Sequence, residues 1–285
     1  MLQVARRGAQ FLGEALPLVR AFAQSRFQNG AGLDREGRPD LYYTIFALAT
    51  LQAVDAPLPT ADLRQFLASF ADGSTLDFVH LGALARSLAV AGEAPPPLKT
   101  ALLQRIESYR SADGGYEGDK HALHGTAYGG FVAYGAYQDL EVPLPNPLRL
   151  VQSLKFLETP DGAWGNAPGL VAGSTNASAA AITLLHQMEM PVNASAAQWL
   201  LQQLHAEGGF LAMPRAPIPD LLSTATSLHA LACMDTPLTA HARERCLDFL
   251  DSLWNAEGGF HGHWADDHLD VEYTFYGLLA LGHLS

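Results

Sequence analysis

Histidine and aspartate side chains cluster in the stretch HGHWADDHLD, which runs from His261 to Asp270. His261 and His263 alternate along an expected extended segment, so both imidazoles can point to the same side. Imidazole and carboxylate groups suit zinc, manganese or iron, and Asp220 is expected nearby if successive units of the chain are neighbours. These residues predict a divalent-metal site formed by Asp220, His261 and His263.

The same stretch allows two other interpretations. Its letters DDHLD match the DDxxD pattern with which some enzymes hold Mg²⁺ against a diphosphate. The pattern lies before the expected helix, however, and no second acid-rich segment accompanies it. A solvated loop that ends in Asp270 as a helix cap explains the residues equally well. The cofactor therefore stays unknown, with Zn²⁺ and Mg²⁺ as the candidate divalent metals.

An aspartate followed four residues later by a threonine opens three predicted helices. Aspartate is a favoured N-cap because it accepts hydrogen bonds from unpaired N–H groups and meets the positive end of the helix dipole. If these helices run parallel, their starts share one rim, where Asp220, Asp270, Tyr273 and His124 become candidates for catalysis. The pairs are Asp40 and Thr44, Asp220 and Thr224, and Asp270 and Thr274.

Aromatic residues recur at equivalent places on the predicted apolar helices. Their faces can line a pocket for an isoprenoid chain or a developing carbocation. Four glycines in HALHGTAYGGFVAYGAY, residues 121–137, indicate either close helix packing or such an opening. The candidate substrate-binding residues from this pattern are Tyr42, Tyr43, Tyr128 and Tyr276, and Trp164, an aromatic residue of a glycine-containing turn, is a further candidate.

A glycine-containing turn recurs along the chain and indicates its architecture. The turn reads DGGY at Asp113, DGAW at Asp161 and EGGF at both Glu207 and Glu257, so its steps are 48, 46 and 50 residues. Weaker copies begin at positions 29 and 71. A fixed period in this range is typical of repeat architectures, and it predicts six units.

Each unit predicts two helices of different character. The helix before a turn is amphipathic and should lie outside, whereas the helix after it is apolar nearly all round and should lie inside. Glycine at positive φ can end the first helix and reverse the chain, and the aromatic of the turn can plug the gap between hairpins. We expect an all-α fold with one domain over residues 1–285.

The simplest arrangement is an α/α toroid, an (α/α)6 barrel of six helical hairpins of about 47 residues with inner and outer helices. An open solenoid is the alternative. It would need unusually polar capping repeats at its ends, and the sequence has none.

Composition excludes several classes of partner. The formal net charge is -12, with only three lysines, which disfavours nucleic acid. No stretch approaches the eighteen or more apolar residues of a membrane-spanning helix. Two cysteines are too few for a disulfide framework and fit a reducing compartment, so we expect a cytoplasmic location.

The repeated units resemble those of the prenyltransferase and squalene-cyclase repeat superfamily, which carry a Gly-Gly-Phe turn followed by Asp and a Tyr-Thr helix. EGGFHGHWADDHLDVEYTFYGLLAL is similar to the last repeat of a protein prenyltransferase β subunit. The resemblance covers roughly residues 28–284. It implies the toroid fold and an isoprenoid ligand, and it leaves open whether the chain needs a helical partner subunit, as the protein prenyltransferases do.

The resemblance does not extend to the zinc ligands of the protein prenyltransferases. In those proteins the penultimate inner helix opens with Asp-x-Cys, and the last inner helix contributes a His just before a Thr. Asp220 matches the Asp, but Leu222 and Tyr273 occupy the other two positions. The zinc site of the family is therefore not retained. Arg215 lies close to the place of a family basic residue, which implies a role in substrate binding.

Three functions are compatible with these observations. The first is a prenyltransferase-like transferase or terpenoid cyclase that binds an isoprenoid or another apolar substrate in the barrel and reacts it at the rim. The second is a non-catalytic toroid that binds a lipid or a partner. The third is an α/α barrel acting on carbohydrate through paired carboxylates.

Overall fold

The computed structural model describes residues 1–92 and 94–285, and most of their regular structure is helical. A short 3₁₀ turn, Gly13–Ala15, separates the first two helices. In chain order the helices are α1 (Leu2–Phe11), α2 (Leu16–Ser25), α3 (Leu41–Ala53), α4 (Thr60–Ala68), α5 (Phe78–Ala91), α6 (Pro96–Glu107), α7 (Ala127–Asp139), α8 (Pro147–Lys155), α9 (Thr175–Gln187), α10 (Ala194–Gln202), α11 (Leu221–Cys233), α12 (Ala240–Leu253) and α13 (Val271–Leu284).

The odd-numbered helices from α3 to α13 form a closed inner ring. Each packs on the next, and α13 packs back on α3, which closes the circle. The even-numbered helices lie outside, each against an inner helix. The predicted α/α toroid is therefore confirmed, and the open solenoid is wrong because the first and last units touch.

Burial follows the predicted division between the two layers. The inner helix α9 buries side chains on all sides, whereas the outer helix α8 buries only a stripe from Leu150 to Leu154. Because every inner helix follows an outer one through a turn, the inner helices run parallel. We call the end where they begin the upper rim, the other end the lower end, and the space between them the lumen.

The turn of each unit packs against the following outer helix through a glycine at positive φ. A Cβ atom on Gly208 would lie 1.9 Å from the carbonyl oxygen of Arg245, and one on Gly258 would lie 2.2 Å from that of Leu18. No larger residue fits these positions. The Gly258 contact joins the last turn to α2, so the outer layer also closes. The glycines at positive φ in the six turns are Gly30, Gly73, Gly114, Gly162, Gly208 and Gly258.

The turn aromatics are buried in the wall, as their spacing predicts. Tyr116, Trp164, Phe210 and Phe260 are each at most 4% exposed. Each fills the space between neighbouring hairpins. This burial explains why every one of these four turns ends in an aromatic residue.

Short antiparallel strands accompany two of the turns. β1 (Phe27–Gln28), β2 (Ala31–Leu33) and β3 (Pro39–Asp40) form one small sheet in the first unit. β4 (Trp254–Asn255) pairs with β5 (Gly259–Phe260) in the last. These strands only tighten the turns, so the fold class remains all-α.

Helix α1 is an element that the repeat pattern does not predict. It packs on α13 and α3 near the lower end of the ring. Gly8 and Gly282 let the two backbones touch, since a Cβ on Gly8 would lie 2.0 Å from the carbonyl oxygen of Leu278. Arg7 also donates to the carbonyl oxygen of Gly282 at 3.4 Å. The helix thus braces the junction between the last and first units.

None of the helices in residues 1–92 and 94–285 combines the length and apolar character needed to cross a bilayer.

Candidate active site

The aspartates at the inner-helix starts cap those helices. Asp220 accepts from the backbone N–H of Ser223 at 2.7 Å, and Asp270 from that of Tyr273 at 2.8 Å. Asp40 makes the equivalent bond at 2.8 Å. The predicted capping is therefore confirmed, because each carboxylate satisfies an orphan N–H group of the first turn.

The threonine four residues after each aspartate ties the helix to its turn. The Thr224 hydroxyl donates to the carbonyl oxygen of Asp220 at 2.6 Å and accepts from the backbone N–H of Phe210 at 2.9 Å. Thr44 and Thr274 form the same two kinds of bond. The Asp and Thr side chains of this repeated pattern thus hold the upper rim together, whatever other role these residues have.

An arginine from the first unit joins the rim of the last unit. Arg35 donates to Asp270 at 2.7 Å and to Asp266 at 3.1 Å. Its guanidinium carbon lies 5.3 Å from the centre of the Tyr273 ring. The Asp270 side chain is only 2% exposed, whereas that of Arg35 is 31% exposed, so the carboxylate of this ion pair is shielded from water and the guanidinium only partly. Arg35 therefore fixes the rim around the start of α13.

Glu272 is a half-buried carboxyl group just inside this rim. The Tyr42 hydroxyl, on the neighbouring inner helix α3, donates to Glu272 Oε1 at 2.7 Å. The pKa of Glu272 is raised to about 7, chiefly by burial and also by Asp270, while the Tyr42 bond and Arg35 oppose the rise. A carboxyl group with such a pKa is substantially protonated at neutral pH, so it can donate a proton.

Aromatic rings surround this carboxyl group on one side of the lumen. Tyr42 packs edge-on against Phe46 at 5.1 Å between ring centres, and Phe46 lies 5.6 Å from Tyr276. Tyr128 lies on α7, across the ring from α13. Burial, together with the nearby carboxyl group of Glu272, raises the pKa of Tyr128 to about 12. Aromatic side chains from three inner helices therefore lie around the acid.

The lower half of the lumen is polar. Arg86 donates to Asp139 at 2.5 Å between α5 and α7. His229 and His283 place ring nitrogens 3.0 Å apart between α11 and α13. Burial lowers the pKa of His229 to about 3 and that of His283 to about 4, so both rings are neutral near pH 7. The lumen is thus amphipathic along its axis.

The structure brings together part of the predicted metal set. His263 is near enough to Asp220 to stabilise its carboxylate, although burial raises the pKa of Asp220 overall. The His261 ring instead contacts the carbonyl oxygen of His268 at 3.2 Å and the side chain of Asn255 at 3.5 Å. In residues 1–92 and 94–285, no three His, Cys, Asp or Glu side chains form a set that could hold a metal. The divalent-metal site stays a prediction.

The other predicted site residues divide between rim, wall and lumen. Tyr43 and Tyr273 lie at the rim beside Arg35. His124 is exposed and contacts Asp113 at 3.3 Å. Trp164 is buried in the wall, where its indole N–H donates to the carbonyl oxygen of Leu154 at 3.1 Å.

Arg215 is exposed in the loop that precedes α11, outside the lumen. Of all the predicted substrate-binding residues, the structure gathers Tyr42, Tyr128 and Tyr276 around the lumen and leaves Trp164 and Arg215 apart from it.

Glu272 is the candidate residue that the sequence patterns missed. It follows Asp270 and Val271 in a helix whose other residues up to Leu281 are apolar, aromatic, Thr or Gly. An acid at a lumen-facing position of an inner helix is the signal that could have identified it. The Asp-x-x-x-Thr pattern instead indicated the capping residue Asp270, two positions earlier.

Comparison with known proteins agrees with this architecture. Residues 177–284 match the family model of the prenyltransferase alpha-alpha toroid domain. The chain has the prenyltransferase-like α/α-toroid fold. The superfamily resemblance predicted from the sequence is thereby confirmed. No curated protein matches the toroid at the sequence level.

Solved structures share the fold at low sequence identity. The type II terpene cyclase MstE from Scytonema gives a TM-score of 0.64 at 13% identity and covers 97% of each chain. The Candida albicans protein geranylgeranyltransferase-I, complexed with GGPP, gives 0.55 at 13% identity and covers 81% of this toroid and 72% of its own chain. A glycosidase in complex with glucose gives 0.56 at 12% identity, with 99% and 96% covered. These likenesses are of fold alone.

Proposed function

We propose that the toroid binds an isoprenoid chain against its aromatic wall and that Glu272 donates a proton to a carbon–carbon double bond of that chain. The observation that carries the proposal is the half-buried Glu272 carboxyl group, which Tyr42 bonds and whose pKa burial raises to about 7. A neutral acid inside an apolar pocket is the arrangement that proton donation to an alkene requires.

The aromatic wall suits the charge that this step creates. Transfer of the Glu272 proton to one alkene carbon leaves a cation on the other carbon and a carboxylate on the protein. The faces of Tyr42, Phe46 and Tyr276 can stabilise the cation through their π electrons. Attack by a second double bond closes a ring, and loss of a proton from a neighbouring carbon restores neutrality. The net reaction is an isomerisation, and a proton from solvent regenerates Glu272.

Fold neighbours support an isoprenoid as the ligand. The Scytonema type II terpene cyclase is also known in complex with geranylgeranyl dihydroxybenzoate as its substrate, and the Candida transferase with GGPP. Both ligands carry a geranylgeranyl chain, an apolar chain of the kind that an aromatic lumen would accept.

Zinc-dependent prenyl transfer fits this chain poorly. A catalytic zinc needs three protein ligands, and Leu222 offers no donor atom. Tyr273 occupies a second family position, but its ring lies beneath the Arg35 guanidinium. Only Asp220 of the family set remains, and its carboxylate already accepts two hydrogen bonds from Ser223 at 2.7 Å. The proposal therefore uses no step through zinc.

The test combines binding with isotope incorporation. Calorimetry with farnesyl and geranylgeranyl diphosphate, with and without Mg²⁺ or Zn²⁺, measures whether the toroid binds the chain. Incubation of geranylgeraniol and its aryl derivatives in D₂O, followed by mass spectrometry, detects a cyclic product that has gained one deuterium. We expect Glu272→Gln to keep chain binding and to lose the product by at least a hundredfold.

Two results would contradict the proposal. Absence of binding at high micromolar ligand under every metal condition would exclude the isoprenoid. Binding without any deuterated product, unchanged by Glu272→Gln, would leave a carrier of lipids, which is the non-catalytic alternative. Glu244→Gln, at an exposed position on α12, is the matched control and should behave as the wild type.

A further inference from the structure

Two histidines from neighbouring inner helices meet in the lower half of the lumen. Nδ1 of His229 on α11 and Nε2 of His283 on α13 lie 3.0 Å apart, which is hydrogen-bonding distance. In the part of the chain that the structure describes, residues 1–92 and 94–285, neither ring has a second hydrogen bond. The proton transfer from Glu272 uses neither ring, so the pair has no role yet in the chemistry of the lumen.

Both rings belong to the faces of their helices that line the lumen. On α13 the half-buried side chains include Glu272, Tyr276 and His283, whereas most others are buried. Spacings of four and eleven residues are close to whole numbers of helical turns, so these three side chains share one face. On α11 the half-buried Thr226 and His229 lie three residues apart and share a face in the same way.

The pair lies deeper in the lumen than the acid. His229 is eight residues after the first residue of α11, whereas Glu272 is one residue after the first residue of α13. Because the parallel inner helices begin at the same rim, this difference places His229 roughly 10 Å below Glu272 along the axis.

The surroundings of the pair disfavour a resident charge. Burial is the largest cause that lowers the pKa of both rings, and the α-amino group of Met1 lowers both further. His186 also lowers the pKa of His229, and Arg7 lowers that of His283. A proton that reaches either ring is therefore passed on rather than kept.

A cleft at the lower end of the molecule reaches His283 from outside the lumen. It has a volume of about 410 Å³ and is lined by residues of α11, α12 and α13 and of the loop after α11. Asp235 and Arg243 line the same cleft and are exposed, so it is open to solvent. His283 thus contacts His229 on one side and the cleft on the other.

Two neutral imidazoles in contact can relay a proton. Each ring has one N–H group and one unprotonated nitrogen, and the bond between the rings uses one of each. When His229 Nδ1 donates to His283 Nε2, the unprotonated Nε2 of His229 and the N–H at Nδ1 of His283 stay free. The pair therefore has an acceptor at one end and a donor at the other.

We propose that the His229–His283 pair is the proton exit of the toroid, in which His229 takes the proton that the carbocation loses and His283 releases one to the cleft. This role rests on the proposed function of Glu272. A C–H bond beside the cationic carbon breaks, its electron pair forms the new double bond, and the proton goes to His229 Nε2. The Nδ1 proton of His229 crosses to His283 Nε2, the Nδ1 proton of His283 leaves to water, and reorientation of both rings resets the pair.

The first experiment compares the products that the full chain makes from geranylgeraniol in D₂O. We expect the wild type to form mainly a deuterated cyclic product with a new double bond. In His229→Gln the side chain cannot accept a proton, so water should attack the cation instead. The share of this alkene should fall at least tenfold in favour of a cyclic alcohol. His241→Gln, at an exposed position on α12, is the matched control and should give the wild-type products.

A second experiment tests the exit step through His283. His283→Gln leaves the acceptor His229 in place but interrupts the path to the cleft. We expect a burst of about one product per protein at the wild-type rate, followed by turnover at least tenfold slower. A purely structural role of His283 would slow the first and later turnovers alike. This variant also carries the test if His229→Gln does not fold.

The possible failures are distinguishable. An unchanged share of the alkene in His229→Gln, or uniformly slow turnover without a burst in His283→Gln, would overturn the proton exit and leave the role of Glu272 intact. Absence of any deuterated cyclic product from the wild type would contradict the proposed function, and the proton exit with it.

Discussion

At the scale of single residues, Glu272 is distinctive because several neighbours act on one half-buried carboxyl group. Burial and Asp270 favour its neutral form, while Tyr42 and Arg35 favour the carboxylate. The balance leaves the pKa of Glu272 at about 7. Small changes at any neighbour therefore shift the protonation of Glu272 within the physiological range of pH.

The first prediction concerns stability and pH. The pKa of Glu272 is raised from 4.5 when unfolded to about 7 when folded. The folded chain therefore holds a proton that the unfolded chain releases, and stability falls as pH rises from 4.5 to 7. We expect the loss to be on the order of 2 kcal/mol, since one pKa unit is worth about 1.4 kcal/mol and lumen water screens part of it.

Urea unfolding at pH 4.5 and 7.5 checks this prediction. Glu272→Gln should lack the fall in stability between these pH values that is due to Glu272, whereas the exposed Glu244→Gln should retain it. Equal pH dependence in the wild type and Glu272→Gln would show that Glu272 ionises normally.

The second prediction uses the phenol beside the acid. The Tyr42 hydroxyl bonds the ionised form of Glu272 and so lowers its pKa. We expect Tyr42→Phe to raise the pH at which activity declines by about one unit. A pH–rate profile measures the pH of this decline directly. A lower rate with no shift in the pH of the decline would mean that Tyr42 only contacts the substrate.

The sequence patterns predicted the capping aspartates of the upper rim but did not predict the role of Glu272. The Asp-x-x-x-Thr pattern correctly predicted caps at Asp40, Asp220 and Asp270, because capping depends on local hydrogen bonds. The role of Glu272 depends on Tyr42, which lies 230 positions away along the chain. No local spacing encodes a contact that exists only when the first and last units meet.

At the scale of secondary-structure elements, glycines set how closely turns approach outer helices. Gly208 has a φ of 92°, and its missing Cβ leaves room for the backbone of α12. The period of these turns predicted the number of units, and the apolar pattern of each helix predicted its layer. Helix α1 could not be predicted in this way, since it belongs to no repeat and is held by backbone contact with α13.

The third prediction compares two glycines at positive φ. Gly208→Ala should destabilise the toroid by roughly 3 kcal/mol or more, because strain adds to a clash with backbone that cannot move freely. Gly169→Ala should cost only about 1 kcal/mol, since nothing lies within 4 Å of its Cβ position at a φ of 79°. Chemical denaturation of both variants measures the difference. Equal losses would mean that the turn can move away from α12.

The fourth prediction concerns the contact between α11 and α13 in the lower half of the lumen. Burial depresses the pKa values of His229 and His283 below the ordinary 6.5. Their contribution to stability is therefore complete above pH 6.5 and is lost as pH falls toward 4, because unfolding then takes up protons. His229→Asn should weaken this acid sensitivity, which unfolding curves at pH 7 and pH 4.5 would reveal. An unchanged pH dependence would contradict the predicted burial of the ring.

At the scale of the whole molecule, closure of the ring creates the site. The acid comes from the last unit and its phenol partner from the first, so an open array of the same hairpins would separate them. Arg35 joins these two units at the rim, Gly258 joins them in the outer layer, and α1 braces them at the lower end. The candidate site thus lies at the junction where the repeat ends meet.

Removal of the Arg35 clasp is the final prediction. Arg35→Gln leaves the buried Asp270 carboxylate without its ion-pair partner, which should cost roughly 2–4 kcal/mol. Loss of the positive charge should also raise the pKa of Glu272 above about 7, since Arg35 now opposes that rise. Arg38→Gln is the matched control, because Arg38 pairs on the exposed surface with Asp34 and Glu36 of the same loop. Its loss should change stability by less than about 1 kcal/mol. Unfolding curves and pH–rate profiles of both variants separate the two effects, and similar behaviour of the two would show that closure of the ring does not depend on Arg35.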